Sequence, residues 1–156
     1  MLYKTLLVPT DGSPISEQAV AAAIEFARCC GSEIVAFAVA EPYPSAPLSE
    51  SALVIDPGVD SRDLQKMAQE RVQKIAAAAQ AAGVRCKTAI ALSFHPEEEI
   101  VQAATQYHCD VIFMASHGRR GLSRLLAGSV TQKVLAYAPV PVMVFRPAAA
   151  PGTPVQ

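Results

Sequence analysis

The chain has 156 residues, of which 51% are hydrophobic and 17% are charged. This length suits one domain that can bury a core without disulfide staples, and the composition excludes a disordered chain. Lys and Arg total 13 and Asp and Glu total 14, which leaves a net charge of −1. Such a balance provides no field that would steer the protein to nucleic acid or to an acidic membrane. We therefore expect neither partner.

The four cysteines, Cys29, Cys30, Cys86 and Cys109, form no C-x-x-C pair. We interpret them as buried thiols of a protein from a reducing compartment. Together with the histidines they also lack the ligand spacing of a zinc site. The first residues show no charged leader followed by an apolar segment, and no stretch reaches the roughly 18 apolar residues that indicate a membrane helix. These features predict a cytoplasmic location.

The first part of the chain predicts a strand, a helix and a second strand. Residues 2–9 form a short apolar run that is typical of a strand buried on both faces of a parallel sheet. Ser13 is a suitable N-cap for a helix with Pro14 at its first position, and Gly31 ends that helix. The β-branched and aromatic residues of 34–40 predict the second strand.

Further along, residues 45–60 contain prolines and serines with weak periodicity, which predicts a long mobile connection. The following elements again alternate: a helix over 61–82, a strand over 84–92, a helix that opens at Pro96, a strand over 110–114, a helix over 130–137, and a strand from Val140 to Phe145. Pro141 in the last strand indicates a sheet edge. Residues 148–156 lack an apolar period and predict a flexible C-terminal tail after a single domain over 1–147.

Strands that alternate with helices predict an α/β fold, a single doubly wound open sheet of five mainly parallel strands with helices on both faces. We expect the Rossmann-like strand order 3-2-1-4-5. In such sheets ligands bind outside the carboxyl ends of the strands, where the strand order reverses. The first and fourth strands should flank that crevice.

The loop after the fourth strand carries the strongest candidate site. It reads Ala115-Ser116-His117-Gly118-Arg119-Arg120-Gly121, and Gly128-Ser129-Val130-Thr131 follows at the start of a helix. Backbone N–H groups of such a loop, the positive helix end and the hydroxyls of Ser129 and Thr131 could together bind a polyphosphate. The alternative is that the glycines only form turns, that Gly128-Ser129 only caps a helix, and that the arginines are only solvated.

Asp11 lies on the other side of the expected crevice, directly after the first strand. Its carboxylate could accept hydrogen bonds from ribose hydroxyls, as acidic residues do in dinucleotide folds. The alternative is a turn residue that caps the first helix. For His117 no carboxylate partner can be placed from the sequence, so we assign no catalytic residue.

These residues together resemble the universal stress protein family. Its ATP-binding members carry a glycine, two residues, a second glycine, nine residues, and then Gly-Ser or Gly-Thr. Gly118 and Gly128-Ser129 fit that spacing, whereas Ala115 stands at the first glycine position. The residues from Leu7 to Ser13 resemble the opening of the family and those from Val140 to Val144 its closing strand.

The resemblance implies an ATP-binding protein with a regulatory role in stress response, exerted through nucleotide occupancy or slow hydrolysis. An apolar strand at a sheet edge would be an aggregation hazard if left bare, so we expect a homodimer through the fifth strand, from Val140 to Phe145, and the resemblance supports this expectation. Mg²⁺ could arrive with bound ATP. The resemblance also implies the following site residues: Pro9, Thr10, Asp11 and Val39 around adenine and ribose; Met114, Ala115, His117 and Gly118 along the crevice; and Arg119, Gly128, Ser129, Val130 and Thr131 at the phosphates.

Other α/β classes fit less well. A phosphoacceptor receiver domain would need an acidic residue after the third strand, where Ser93 stands instead. The first loop contains neither the G-x-G-x-x-G of a dinucleotide-binding dehydrogenase nor the G-x-x-x-x-G-K-[ST] of a P-loop enzyme. The remaining alternative is a protein of the same fold that binds no nucleotide and acts as a dimeric interaction module.

Overall fold

A computed structural model describes residues 3–42, 61–117 and 127–148. The helices and strands follow in this order: β1 (Thr5–Thr10), α1 (Pro14–Cys30), β2 (Glu33–Ala40), α2 (Ser61–Ala81), β3 (Cys86–Leu92), α3 (Pro96–Gln106), β4 (Val111–Ala115), α4 (Ser129–Tyr137) and β5 (Val142–Phe145). The strands form one sheet in the order β3-β2-β1-β4-β5, and every neighbouring pair is parallel. The predicted α/β class and strand order are therefore confirmed.

The ends of α1 follow from local chemistry. The Ser13 hydroxyl accepts a hydrogen bond from the Ser16 N–H at 3.3 Å, and Pro14 occupies the first turn, where a missing N–H costs nothing. Gly31 adopts a left-handed conformation with φ of 70°, and its N–H returns to the Ala27 carbonyl. A residue without Cβ adopts this conformation at no steric cost, so α1 ends there.

Alternating side chains of the strands build a separate core on each face of the sheet. Leu6 and Val8 of β1 pack with Val20, Ile24 and the other apolar residues of α1 and α2 on one face. On the other face, Leu7 packs in a second cluster with residues of α3 and α4. Because β1 is covered on both faces, it can be apolar at consecutive positions, as the sequence predicted.

Several strand boundaries differ from the prediction. Strand β1 starts at Thr5 because the Asp110 carboxylate accepts the N–H groups of Lys4 and Thr5, at 2.7 and 2.9 Å. Strand β3 starts at Cys86 because the Val84 N–H still bonds to the Ala79 carbonyl at the end of α2. Strand β5 starts at Val142, so the expected proline does not lie within it.

The expectation that all four thiols are buried is wrong. Cys109 is buried and Cys86 is half-buried, but Cys29 and Cys30 are exposed. These two residues form the last turn of α1, beyond Ala27, the last residue of that helix to be buried against the sheet.

The predicted connection at 45–60 and the predicted tail beyond residue 148 lie outside the described residues. Among the helices of the described ranges, none is long and apolar enough to cross a membrane.

Candidate functional site

A crevice opens between β1 and β4 at the carboxyl end of the sheet. The two strands pair at Leu6 with Val111 and at Leu7 with Ile112, although both strands continue for three more residues. The Thr5 carbonyl accepts the Asp110 N–H, so alternate residues of β1, including Pro9, face β4. Because Pro9 has no N–H to donate, it cannot extend the ladder. The strand order also reverses between β1 and β4, which is the expected position of a ligand.

Apolar side chains line the crevice on the face covered by α3 and α4. Met114 is 6% exposed and belongs to the cluster that contains Leu7, while Val39 of β2 is half-buried against the same cluster. Pro9 is buried and lies on β1 between these two strands. Three neighbouring strands thus place apolar residues on one face at the carboxyl end of the sheet, and an apolar surface of this kind suits a flat base.

The turn after β1 is held by its own side chains. The Gly12 N–H donates to the Thr10 hydroxyl at 3.1 Å, and the Ser13 N–H donates to Asp11 Oδ1 at 2.9 Å. The Ser16 hydroxyl also donates to Thr10 Oγ1, at 2.9 Å. The bond from Ser13 orients the Asp11 carboxylate, and the two bonds to Thr10 hold the turn that carries it. Asp11 therefore forms the turn, and Ser13 caps the helix.

The end of β4 is joined to β5 and to the residue before α4 through Ser116. This residue is 1% exposed, its N–H donates to the Phe145 carbonyl at 2.8 Å, and its carbonyl accepts the Gly128 N–H at 2.7 Å. The motif treats this position as a variable residue, so the sequence offered no signal for its role. Ser116 brings the start of α4 back to the crevice.

The first turn of α4 points towards the same end of the sheet. The first bond within the helix runs from the Gln132 N–H to the Gly128 carbonyl, so the N–H groups of residues 129–131 have no partner within the helix. Gly128 precedes them and has no side chain with which to cap them. Ser129 is exposed and Val130 is half-buried. This helix end has the donors and the dipole of an anion site.

Thr131 and Ala115 form a second link between β4 and α4. The Thr131 hydroxyl donates to the Ala115 carbonyl at 3.0 Å, and Thr131 is 2% exposed. The hydroxyl of Thr131 therefore already donates its proton within the protein, and this side chain supports the packing of α4 against β4. Ala115 lies in the extended conformation of β4 and does not have a positive φ, so the backbone here tolerates a Cβ in place of glycine.

His117 follows at the rim of the crevice. Its Nδ1 lies 2.9 Å from the Ser116 hydroxyl, and the side chain is half-buried. Gly118 and Arg119, which the sequence assigned to the crevice and the phosphates, lie outside the described residues. The structure therefore brings together the candidates from β1, β2, β4 and α4, while the middle of the glycine loop stays a prediction.

The structure adds Arg71 of α2 as a neighbour of the site. A methyl group built on Gly12 would lie 2.6 Å from Arg71 Nε and 3.2 Å from its Cδ and Cζ. Gly12 has φ of 76° and is the residue directly after Asp11. No sequence pattern connects α2 with this turn, so Arg71 could not be found from the sequence.

Metal-binding side chains do not cluster in the part of the chain that the structure describes: no group of three or more His, Cys, Asp or Glu could hold an ion there.

Comparison with known proteins identifies the family. The model of the universal stress protein family matches residues 2–146. Universal stress protein MJ0531 of Methanocaldococcus jannaschii is 35% identical over 147 residues, which cover 93% of this chain and 83% of the relative. A universal stress protein of Thermus aquaticus is 34% identical over 149 residues, covering 93% of this chain and all of the relative.

Solved structures share the fold. The structure of protein MJ0577 has a TM-score of 0.73 at 26% identity and covers 96% of this chain and 100% of its own. A universal stress protein in complex with cAMP has a TM-score of 0.68 at 21% identity, covering 94% of this chain and 99% of its own. One from Archaeoglobus fulgidus in complex with dAMP has a TM-score of 0.63 at 20% identity, covering 94% and 100%. By the family match and the two sequence relatives, the chain belongs to the universal stress protein family.

Proposed function

We propose that this protein binds ATP in the crevice between β1 and β4 and acts as a regulatory protein through nucleotide occupancy. The observation that carries the proposal is the position of α4. Ser116 and Thr131 hold its first turn directly against the end of β4, at 2.7 and 3.0 Å. Uncompensated N–H groups at a helix start attract phosphate. Solved universal stress proteins in complex with cAMP and dAMP support an adenine nucleotide as the ligand class.

Each part of the ligand would meet a different part of the crevice. The base would lie in the apolar slot beside Val39, Pro9 and Met114. The ribose hydroxyls would donate to the carboxylate of Asp11. The phosphates would lie at the start of α4, where Gly128, Ser129 and Val130 present their backbone, and along the loop that contains Gly118 and Arg119.

Mg²⁺ would be bound mainly by the phosphates. This ion commonly keeps several waters and takes only one or two protein carboxylates when it accompanies a nucleotide. ATP would therefore bring the ion, which neutralises part of the phosphate charge, and the protein would need no cage for it.

A dimer is the second part of the proposal. The Ile112 N–H donates to the Pro141 carbonyl, and the Ser116 N–H donates to the Phe145 carbonyl. The backbone groups of odd-numbered residues in this segment therefore face β4. Those of Val142 and Val144 face the open edge of the sheet. The side chains of β5 are all half-buried. An edge of this kind favours pairing with a second copy.

A ligand series tests the proposal. Calorimetric titration of nucleotide-stripped protein with ATP, ADP, AMP, adenosine and GTP separates the contributions of phosphates, sugar and base. We expect affinity to increase with the number of phosphates on adenosine, and we expect GTP to bind more weakly than ATP. Absence of binding for the whole series would contradict the proposal and favour the dimeric interaction module.

A further inference from the structure

The turn that carries Asp11 is contacted from a distant helix. Ala68, Val72 and Ile75 bury one face of α2 against the sheet, and the half-buried Arg71 extends from this helix to Gly12. A further link holds α2 beside α1, because Lys74 Nζ lies 2.7 Å from Glu17 Oε1. Arg71 thus reaches the turn from a helix that is anchored twice.

Gly12 is the residue that permits this contact. Its φ of 76° lies in the left-handed region, where glycine is preferred, and any side chain here would occupy the space of the Arg71 side chain. The two neighbouring N–H bonds, from Gly12 to Thr10 and from Ser13 to Asp11, hold the turn from within. Arg71 covers the same turn from outside and opposes its opening.

We propose that Arg71 is a positioning residue for the sugar subsite. Its side chain holds the turn at residues 10–13, so that the Asp11 carboxylate stays where the ribose hydroxyls reach it. This inference rests on the proposed function, and it assigns to α2 a part in recognising the sugar. A residue that acts by orienting Asp11 must change the affinity for a ribonucleotide more than the affinity for a deoxyribonucleotide, because only ribose has the 2′-hydroxyl.

The test compares ATP with 2′-deoxy-ATP by calorimetry. A well-placed carboxylate that accepts the 2′-hydroxyl should favour ATP about tenfold in the unmodified protein. We expect Arg71→Gln to reduce this preference to about twofold, whereas the matched control Lys66→Gln, which removes the same charge at an exposed position of the same helix, should keep it. A purely structural loss of stability would lower both affinities and leave their ratio unchanged.

A second variant keeps the inference falsifiable if Arg71→Gln folds poorly. Arg71→Lys keeps the positive charge and the aliphatic stem but removes the guanidinium group that lies beside Gly12. It should fold like the unmodified protein and lose part of the preference for ATP. An unchanged ratio in both variants would overturn the inference. Failure of the unmodified protein to bind ATP would instead overturn the proposed function.

Discussion

Thr131 shows what one buried hydroxyl contributes to the site. It donates to the Ala115 carbonyl across the gap between β4 and α4. Thr131→Val would leave that carbonyl without its partner, so we expect the free energy of unfolding to fall by about 1 to 3 kcal/mol. Urea denaturation measures this change. Thr105→Val, the same replacement at an exposed position of α3, should be nearly neutral, and equal effects at the two positions would contradict the assigned role.

The cysteines differ in reactivity because they differ in environment. Burial, together with the nearby charges of Asp110 and Glu33, raises the pKa of Cys109 to about 12, and burial also raises the pKa of Cys86. The thiolate is the reactive form. At pH 8 we expect an aromatic disulfide reagent to label two thiols of the native protein rapidly, and Cys29→Ser/Cys30→Ser to remove this phase. Rapid labelling of Cys109 in the native protein would contradict the structure.

At the scale of elements, one ion pair joins α3 to α4. Lys133 Nζ lies 2.7 Å from Glu97 Oε1, and the Glu97 side chain is largely buried. Burial alone would raise the pKa of Glu97, but the hydrogen bond from Lys133, a backbone hydrogen bond and the charge of Lys133 together lower the pKa below its ordinary value. The pair therefore stabilises the folded protein above the ordinary pKa of a glutamate, and this stabilisation is lost as pH falls through the lowered value.

This linkage predicts a pH-dependent effect of Glu97→Gln. The variant should be less stable than the unmodified protein at pH 7, and the difference should shrink as pH falls through the lowered pKa of Glu97, where the carboxyl becomes protonated. Thermal unfolding of both proteins at several pH values measures this difference in stability. Glu98→Gln, at the exposed neighbouring position, serves as the control. A difference that is constant across the pH range would contradict the ion pair.

Elements were predicted better than their contacts. The cap at Ser13, the stop at Gly31 and the apolar runs of the strands depend on neighbours in the sequence, so the helices, the strands and their order followed from pattern and topology. The contact of Arg71 with Gly12 depends on how α2 packs beside α1. Likewise, the exposure of Cys29 and Cys30 depends on how far the packed face of α1 extends, and the last buried residue of that helix is Ala27. Such facts arise from tertiary packing, which no local pattern records.

For the whole molecule, the open edge of β5 predicts self-association. The backbone groups of Val144 face away from β4, so Val144→Pro would remove an N–H at the edge while leaving the bonds to β4 in place. We expect sedimentation to show a dimer for the unmodified protein and a monomer for this variant, with circular dichroism of a folded α/β protein for both. A dimer that survives the substitution would place the contact elsewhere.

The central claim is that the crevice between β1 and β4 binds ATP through the start of α4 and the glycine loop. Calorimetric titration of the nucleotide-stripped protein with ATP and Mg²⁺, in parallel with a Gly118→Val/Gly128→Val double variant whose fold is verified by circular dichroism, tests it most directly. We predict saturable binding by the unmodified protein and none by the variant, because the two valines would fill the approach of the phosphates. Equal binding by both proteins, or no binding up to millimolar ATP by either, would contradict the claim.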